Sequence, residues 1–307
     1  AYFANLREVL DAIVAGTEPG ELRNRLLRRH YRVEMLARVR EPSILRYSPQ
    51  RRRDAFEVVR ELALERFASG DVQAGLAPVA RLRAHLLEQG HLDALVLLAQ
   101  RCQGIRGRSH LDDLTWQNGR LVADVRLELV HEDGAPVVVE RRGGRWILDR
   151  RLTTGLPGTG DGWDVGDPLE HVQAEARVYD RDHELWWFAD DTLQGALVSH
   201  GSSCQVVVRG TVTIDPLTIA GGQPMPRSLY DIWLSFQVLG IGRGPRLGAN
   251  RSPSCDLRPA LVGDQPLIVA PYWTSVGGNL SLDVGGRGGT FLGKLAVSGL
   301  RMPRSAR

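Results

Sequence analysis

The sequence predicts an α+β chain in which a helical module (1–108) is followed by two antiparallel β-sandwich, Ig-like domains (109–204 and 205–307). Three observations predict it. Apolar residues in the first third recur every three or four positions; near residue 110 the period drops to two; and Gly-containing turns then return at hairpin spacing. The charge is polarised along the same division. Residues 1–108 carry 19 Arg against 13 acidic residues, and the remainder carries 20 basic against 23 acidic. This amounts to +6 followed by −3, within a net charge of +3.

Taking the elements in order, Leu6, Val9, Leu10, Ile13 and Val14 place one apolar stripe on a first helix. Thr17 is read as the N-cap of a second helix, with Pro19 tolerated early and Leu22, Leu26, Val33 and Leu36 expected inside. Ser48-Pro49 opens a third, because the serine oxygen accepts an orphan N–H and proline at the first position sacrifices no bond. That helix carries Phe56, Val59, Leu62, Ala63 and Phe67. Leu82, Leu86 and Leu87 form another, and Gly90 separates it from Leu92, Leu95, Val96 and Ala99.

Strict alternation of Leu121, Ala123, Val125, Leu127 and Leu129 then marks a half-buried strand after the hairpin signal Asn118-Gly119. Asp133-Gly134 and Gly143-Gly144 repeat the device. Val172, Ala174, Ala176 and Val178 make a further strand, which Arg181-Asp182-His183 turns into Leu185–Phe188. A second block comprises Val206–Ile214, Tyr230–Val238, Leu267–Ala270, Leu280–Val284 and Lys294–Val297.

Catalytic motifs are not found. There is no strand-to-helix phosphate loop, no HExxH and no nucleophile elbow, and Gly285-Gly286-Arg287-Gly288-Gly289 reads as a hairpin loop. Asp112-Asp113, Asp190-Asp191 and Asp180-Arg181-Asp182 read as strand ends and turns. No metal or cofactor is assigned to this chain. No apolar run approaches the ~20 residues of a membrane span, and the first ten residues lack the pattern of a signal peptide. Three scattered cysteines suit a reducing compartment. The expectation is a cytoplasmic protein, with the inner face of the membrane within its reach. Because the first residue is Ala, the chain is also expected to be either a processed product or an excised piece of a longer one.

Two sets of residues carry binding candidates. The first lies within the eleven arginines between Arg23 and Arg53, which are opposed there only by Glu34 and Glu41. Arg23, Arg28, Arg29, Arg32, Arg51, Arg52 and Arg53 are singled out, since guanidinium forks pair bidentately with phosphate or carboxylate. The alternative is a solvated face that pairs with acids elsewhere. Nucleic acid is disfavoured, because net charge is only +3 and no aromatic-interleaved basic sheet is visible. The second set is Trp186, Trp187, Trp233, Tyr272 and Trp273, whose ring faces match the apolar faces of sugars. Alternation forces Trp186 and Trp187 onto opposite faces of one strand, and core packing is the competing role.

Three stretches of the helical part carry a resemblance: EPGELRNRLLRRHYRVEMLARV (18–39), SPQRRRDAFEVVRELALERF (48–67) and LRAHLLEQGHLDALVLLA (82–99). They resemble the helical region after the catalytic domain of actinobacterial family 2 glycosyltransferases. The segments 114–129, 229–249 and 269–284 resemble the tandem C-terminal β-domains of those enzymes, in an arrangement similar to the teichoic-acid glycosyltransferases. The resemblance implies a parent chain whose GT-A domain binds a nucleotide sugar through a divalent metal and uses a carboxylate base for inverting transfer. It implies no catalytic residue here. The partners it implies are that catalytic domain, a cell-envelope or secreted polysaccharide acceptor, and further copies of the chain, as in a trimer. The alternatives are a purely structural oligomerisation module and a stand-alone carbohydrate-binding protein.

Overall fold

The computed structural model describes residues 2–255 and 257–286; the strand expected at Lys294–Val297 and residues 287–289 of the Gly-rich loop lie outside them. The chain is α+β, with a helical N-terminal module followed by two sheets rich in antiparallel pairs. Helices α1 (Tyr2–Gly16), α2 (Glu21–His30), α3 (Ser43–Arg46), α4 (Pro49–Arg66), α5 (Gly70–Ala74), α6 (Pro78–Glu88) and α7 (Leu92–Gly104) make up the module. A π-helical turn over Tyr31–Met35 extends α2.

The α4 reading holds in detail. Ser48 Oγ accepts from the Arg51 N–H at 3.3 Å, Pro49 takes the first position, and Phe56, Val59, Leu62, Ala63 and Phe67 are all buried. The second helix differs. Leu22 and Val33 are exposed and Leu26 is half-buried, while Leu27, Tyr31, Met35 and Leu36 enter the core. Two apolar stripes compete on this helix, and the one holding Tyr31 and Met35 removes more area from water. The π-turn takes in one extra residue and so rotates the chain beyond it. Tyr31 stacks flat on Phe67 with ring centroids 4.6 Å apart, and its hydroxyl donates to Glu88 at 3.0 Å. On α1, Leu6 and Leu10 are buried but Val9 and Val14 face out. Thr17 does not cap α2; its hydroxyl donates back to the Ile13 carbonyl at 2.6 Å and closes α1.

The first sheet comprises β1 (Arg106–Gln117), β2 (Arg120–Val130), β3 (Val138–Arg142) and β4 (Arg145–Leu148). The short α8 (Arg150–Thr153) then leads to β5 (Gln173–Asp180) and β6 (Leu185–Phe188) of the second sheet. The first sheet resumes with β7 (Asp190–Asp191), β8 (Gln194–His200) and β9 (Ser203–Ile214). The second sheet continues through β10 (Leu229–Val238) and β11 (Ile241–Arg243); β12 (Asn250–Arg251) pairs with β1, in parallel; β13 (Ala260–Val262), β14 (Leu267–Trp273) and β15 (Leu280–Val284) complete the second sheet.

The two sheets therefore do not divide at residue 205. β9 spans that point and pairs with β2, whereas β5, with β6 on its other edge, pairs with β10 across a gap of some fifty residues of sequence. Alternation marks a strand and its buried face; which strand it joins is settled by long-range packing. The strand readings that fall within the described residues hold. Leu121, Ala123, Val125, Leu127 and Leu129 are buried on β2, as are Ile232, Leu234, Phe236 and Val238 on β10, and Asn118-Gly119 turns with φ of 50° and 78°.

The helical module is fastened to the sheets at named points. The tip of the β10–β11 hairpin, Leu239-Gly240, sits on the start of α6, where the Leu239 carbonyl accepts the otherwise orphan Val79 N–H at 3.0 Å. A Cβ at Gly240, whose φ is +87°, would stand 3.0 Å from the Ala77 methyl. The buried part of Arg243 donates to the Ile105 carbonyl at 2.7 Å and also to that of Cys102, closing the end of α7. Trp163 and Arg81 add donors across the same joint, to Pro78 and Asp164.

Candidate functional site

The predicted arginines separate into locked and free groups. Arg23 caps the end of α1 by donating to Thr17 and to the Val14 carbonyl at 2.9 Å. Arg52 donates to the Ile44 carbonyl at 3.1 Å and to that of Tyr47, ending α3. Arg28 reaches across to α5, donating to the carbonyls of Val72 (3.0 Å) and Asp71 (3.1 Å), and a Cβ at Gly75 would overlap its guanidinium. These three close helix ends or tie helices together, a common fate for arginine near carbonyl-rich termini. Arg53 is exposed and donates to Gln50 at 2.9 Å, and Arg51 lies 4.8 Å over the Tyr47 ring.

Arg29 and Arg32 are exposed and have no hydrogen-bond or ion-pair partner among the described residues; Arg25, one turn back, is in the same state. With Arg28 these three fall at i, i+3, i+4 and i+7, the spacing of one helix face. The stripe forms one wall of a cleft of about 340 Å³ between α2 and the second sheet. The opposite wall holds His171, Gln173 and Gln237. Burial lowers the His171 pKa, and Arg81 and Arg28 lower it further against the opposing pull of Glu170. The site thus combines guanidinium donors free to bind, an imidazole held neutral near pH 7, and two amides. Guanidinium and amide N–H groups are donors of the kind that pair with oxyanions.

The aromatic set separates by the pleat. Trp186, Trp233 and Tyr272 share the outward face of the second sheet. Tyr272 pairs with Ser281, Ser281 with Asp231, Asp231 with Tyr179 and Tyr179 with Trp186, so a single rung crosses five strands. Trp186 is 47% exposed, with its ring 4.7 Å from Tyr179 and 6.1 Å from Trp233. Trp187 points inward onto Tyr230, ring centroids 5.6 Å apart, as alternation requires. Trp273 also leaves the outward face and lies beneath Arg251, whose guanidinium is 4.1 Å from the ring.

The sequence reading does not single out Tyr179 or Phe188, which complete the outward aromatic patch, nor His171, Gln173 and Gln237. Alternation of Gln173, Glu175, Arg177 and Tyr179 with small apolar residues is the signal available for β5. Around the patch, Arg181 and Arg246 both donate to Asp231, and Arg177 lies 5.4 Å over the Phe188 ring. Asp180, at the turn into β6, is fully buried. Burial alone would raise its pKa, but hydrogen bonds from Ser228 and His183 and from the N–H groups of His183 and Asp182 outweigh it and hold the carboxyl below its usual range. It anchors a turn.

Comparison with known proteins gives one informative match. Residues 1–99 match the family model of the glycosyl transferase TarS linker domain. That covers α1 to most of α7, including the arginine stripe of the cleft. No curated protein matches the chain. Among solved structures, S. aureus TarS 217–571 aligns at 11% identity over 92% of this chain and 75% of that one, with a TM-score of 0.33. The S. aureus TarS structure aligns with the same identity and TM-score, over 92% of this chain and 48% of that one. The chain thus spans about half the length of that protein. No helix among the described residues is long and apolar enough to cross a membrane. Nor do three His, Cys, Asp or Glu side chains gather among them as a metal would require.

Proposed function

We propose that this chain is a non-catalytic part of a family 2 glycosyltransferase that holds an anionic acceptor polymer, of the cell envelope or secreted, for a GT-A catalytic domain elsewhere in the parent protein. The match of residues 1–99 to a glycosyltransferase linker domain supports the attachment. The observation that carries acceptor binding is the stripe of Arg25, Arg29 and Arg32 on a cleft wall, with no hydrogen-bond or ion-pair partner among the described residues. Leaving three guanidiniums side by side carries mutual repulsion, which an anionic ligand relieves. Nucleotide sugar and divalent metal belong to the catalytic domain in this reading.

A second reading, oligomerisation, is favoured by one observation: Leu185, Phe188 and Leu261 stand 51%, 64% and 58% exposed on the second sheet. Sedimentation velocity across a concentration series, with and without an anionic glycopolymer, separates the two. Acceptor binding predicts a shift with polymer that fades in salt and is lost in Arg29→Glu/Arg32→Glu. A stable oligomer indifferent to polymer supports the oligomerisation reading and overturns acceptor binding.

A further inference from the structure

The apolar period of Leu22, Leu26 and Val33 on α2 is not used by the core. Leu22 is 56% exposed and Val33 43%, with Leu26 half-buried between them. The π-helical turn directs Tyr31 and Met35 inward and leaves Arg32 and Val33 in water. Exposed Arg25, Arg29 and Arg32 are interleaved with these aliphatic residues, so charge and apolar surface alternate along one helix. From Leu22 to Val33 the helix runs eleven residues, or about 16 Å. Val14, at the end of α1 that Arg23 closes, is exposed as well. Residues 18–40 hold seven arginines and three glutamates, of which Glu21 pairs with Arg28 and Glu34 accepts from Tyr2.

We propose that this face of α2 rests on the surface of a bilayer containing anionic lipids, with Leu22 and Val33 at the acyl boundary and Arg25, Arg29 and Arg32 at the headgroup phosphates. The contact runs along the surface, with α2 lying in the plane of the interface. Aliphatic side chains leave water there, while the arginine stems lie beside them and carry their guanidiniums to the phosphates. A soluble polyanion satisfies the guanidiniums equally well, but it removes no apolar area of Leu22 and Val33 from water. A second copy of the same face would bring six guanidiniums together. The acidic side of the module is a poor partner for it, since Glu61 and Glu65 on α4 are held by Arg7. Membrane contact does not depend on the acceptor reading. The two share Arg25, Arg29 and Arg32, whereas Leu22 and Val33 serve the membrane alone.

The test is flotation of the full chain with two kinds of vesicle, one of phosphatidylcholine and one in which about a third of the lipid is phosphatidylglycerol. The anionic vesicles are expected to bind about a hundredfold more tightly, at about fivefold for each of three arginines, and the preference should fade in salt. Arg29→Gln/Arg32→Gln should weaken that binding about twentyfold, and Leu22→Gln/Val33→Gln about tenfold. Leu22→Trp should strengthen it, and the added emission should be quenched by lipid brominated in its acyl chains. Thermal melts verify that each variant is folded. Poly(glycerol phosphate), titrated in parallel, should not distinguish Leu22→Gln/Val33→Gln from the parent chain. Equal binding to the two vesicles, or anionic-vesicle binding that Leu22→Gln/Val33→Gln retains in full, overturns the membrane assignment and leaves the acceptor reading to the polymer titration. Vesicle binding as expected with no binding of polymer supports the membrane and removes the acceptor reading. An oligomer seen without vesicles that dissociates in Leu22→Gln/Val33→Gln assigns the face to a second copy and overturns the proposal.

Discussion

The helical module and the second sheet use their large side chains in opposite ways. In the module, the aromatic rings that matter most are turned inward: Tyr31 and Phe67 stack flat in the core, while the outward stripe of α2 is cationic. In the second sheet, arginines are drawn into pairs with Asp231 and Glu175, and aromatic rings reach the surface. The difference shows what exposure means in each place. A free guanidinium on a helix is well solvated and needs no explanation until several share a cleft. An exposed tryptophan beside another keeps apolar area in water and signals a ligand or partner more directly.

The largest effect that would sharpen this contrast is expected at the buried stack. Phe67→Ala should cost about 3–5 kcal/mol in urea unfolding, because it removes a filled core site and the partner of Tyr31. Trp186→Ala, on the exposed side of the comparison, should cost about 1 kcal/mol or less. Comparable losses at the two sites would break the distinction. At the joint between the regions, Arg243→Ala should cost about 2–3 kcal/mol, since two carbonyls at the end of α7 lose a charged donor. The Trp187→Ala variant should lose about 2 kcal/mol, more than its neighbour Trp186→Ala, as judged by paired denaturant titrations.

A smaller effect is expected at Asp180. Its carboxyl titrates lower in the folded state than in the unfolded chain, so its contribution to stability is present above about pH 4 and is lost as pH falls through the folded value. Asp180→Asn should therefore cost about 1–2 kcal/mol at pH 7 and flatten the acid side of a stability-versus-pH curve. The smallest effect concerns binding. His171 is held below its ordinary pKa by burial and by Arg81 and Arg28, against Glu170, and an anion in the cleft reverses that balance. Binding then takes up a proton, so affinity for a polyanion should rise modestly from pH 7 to pH 5, and His171→Gln should remove the slope.

Much of this architecture is legible from local pattern. The Ser48-Pro49 start of α4, the Asn118-Gly119 turn and the buried alternation of β2 and β10 depend on contacts within a few residues or on a period of two. With only two faces to choose between, alternation in a strand leaves little room for error, and the opposed directions of Trp186 and Trp187 result from it. A helix offers a continuum of faces. The buried stripe of α2 differs from the expected one because Leu22, Leu26 and Val33 also fit a helical period, and it is partners on other elements, such as Phe67 and Glu88 for Tyr31, that meet the side chains turned inward.

The candidate site is legible in the sequence as two sets of residues and not as one place. Charge density alone marks Arg23 to Arg53, but the carbonyls of α1, α3 and α5 determine which of those arginines are consumed as clasps and which stay free. Likewise the rings of β6 and β10 come together because β5 pairs with β10, two segments some fifty residues apart whose register no local signal specifies. By itself, then, the sequence determined the helical and strand periods, the turns and the chemical types on offer, because these depend on neighbours within a turn or a hairpin. Tertiary structure alone decided the strand partners, the free arginines and the aromatic patch, because those depend on long-range packing and on which polar groups find partners when the core closes.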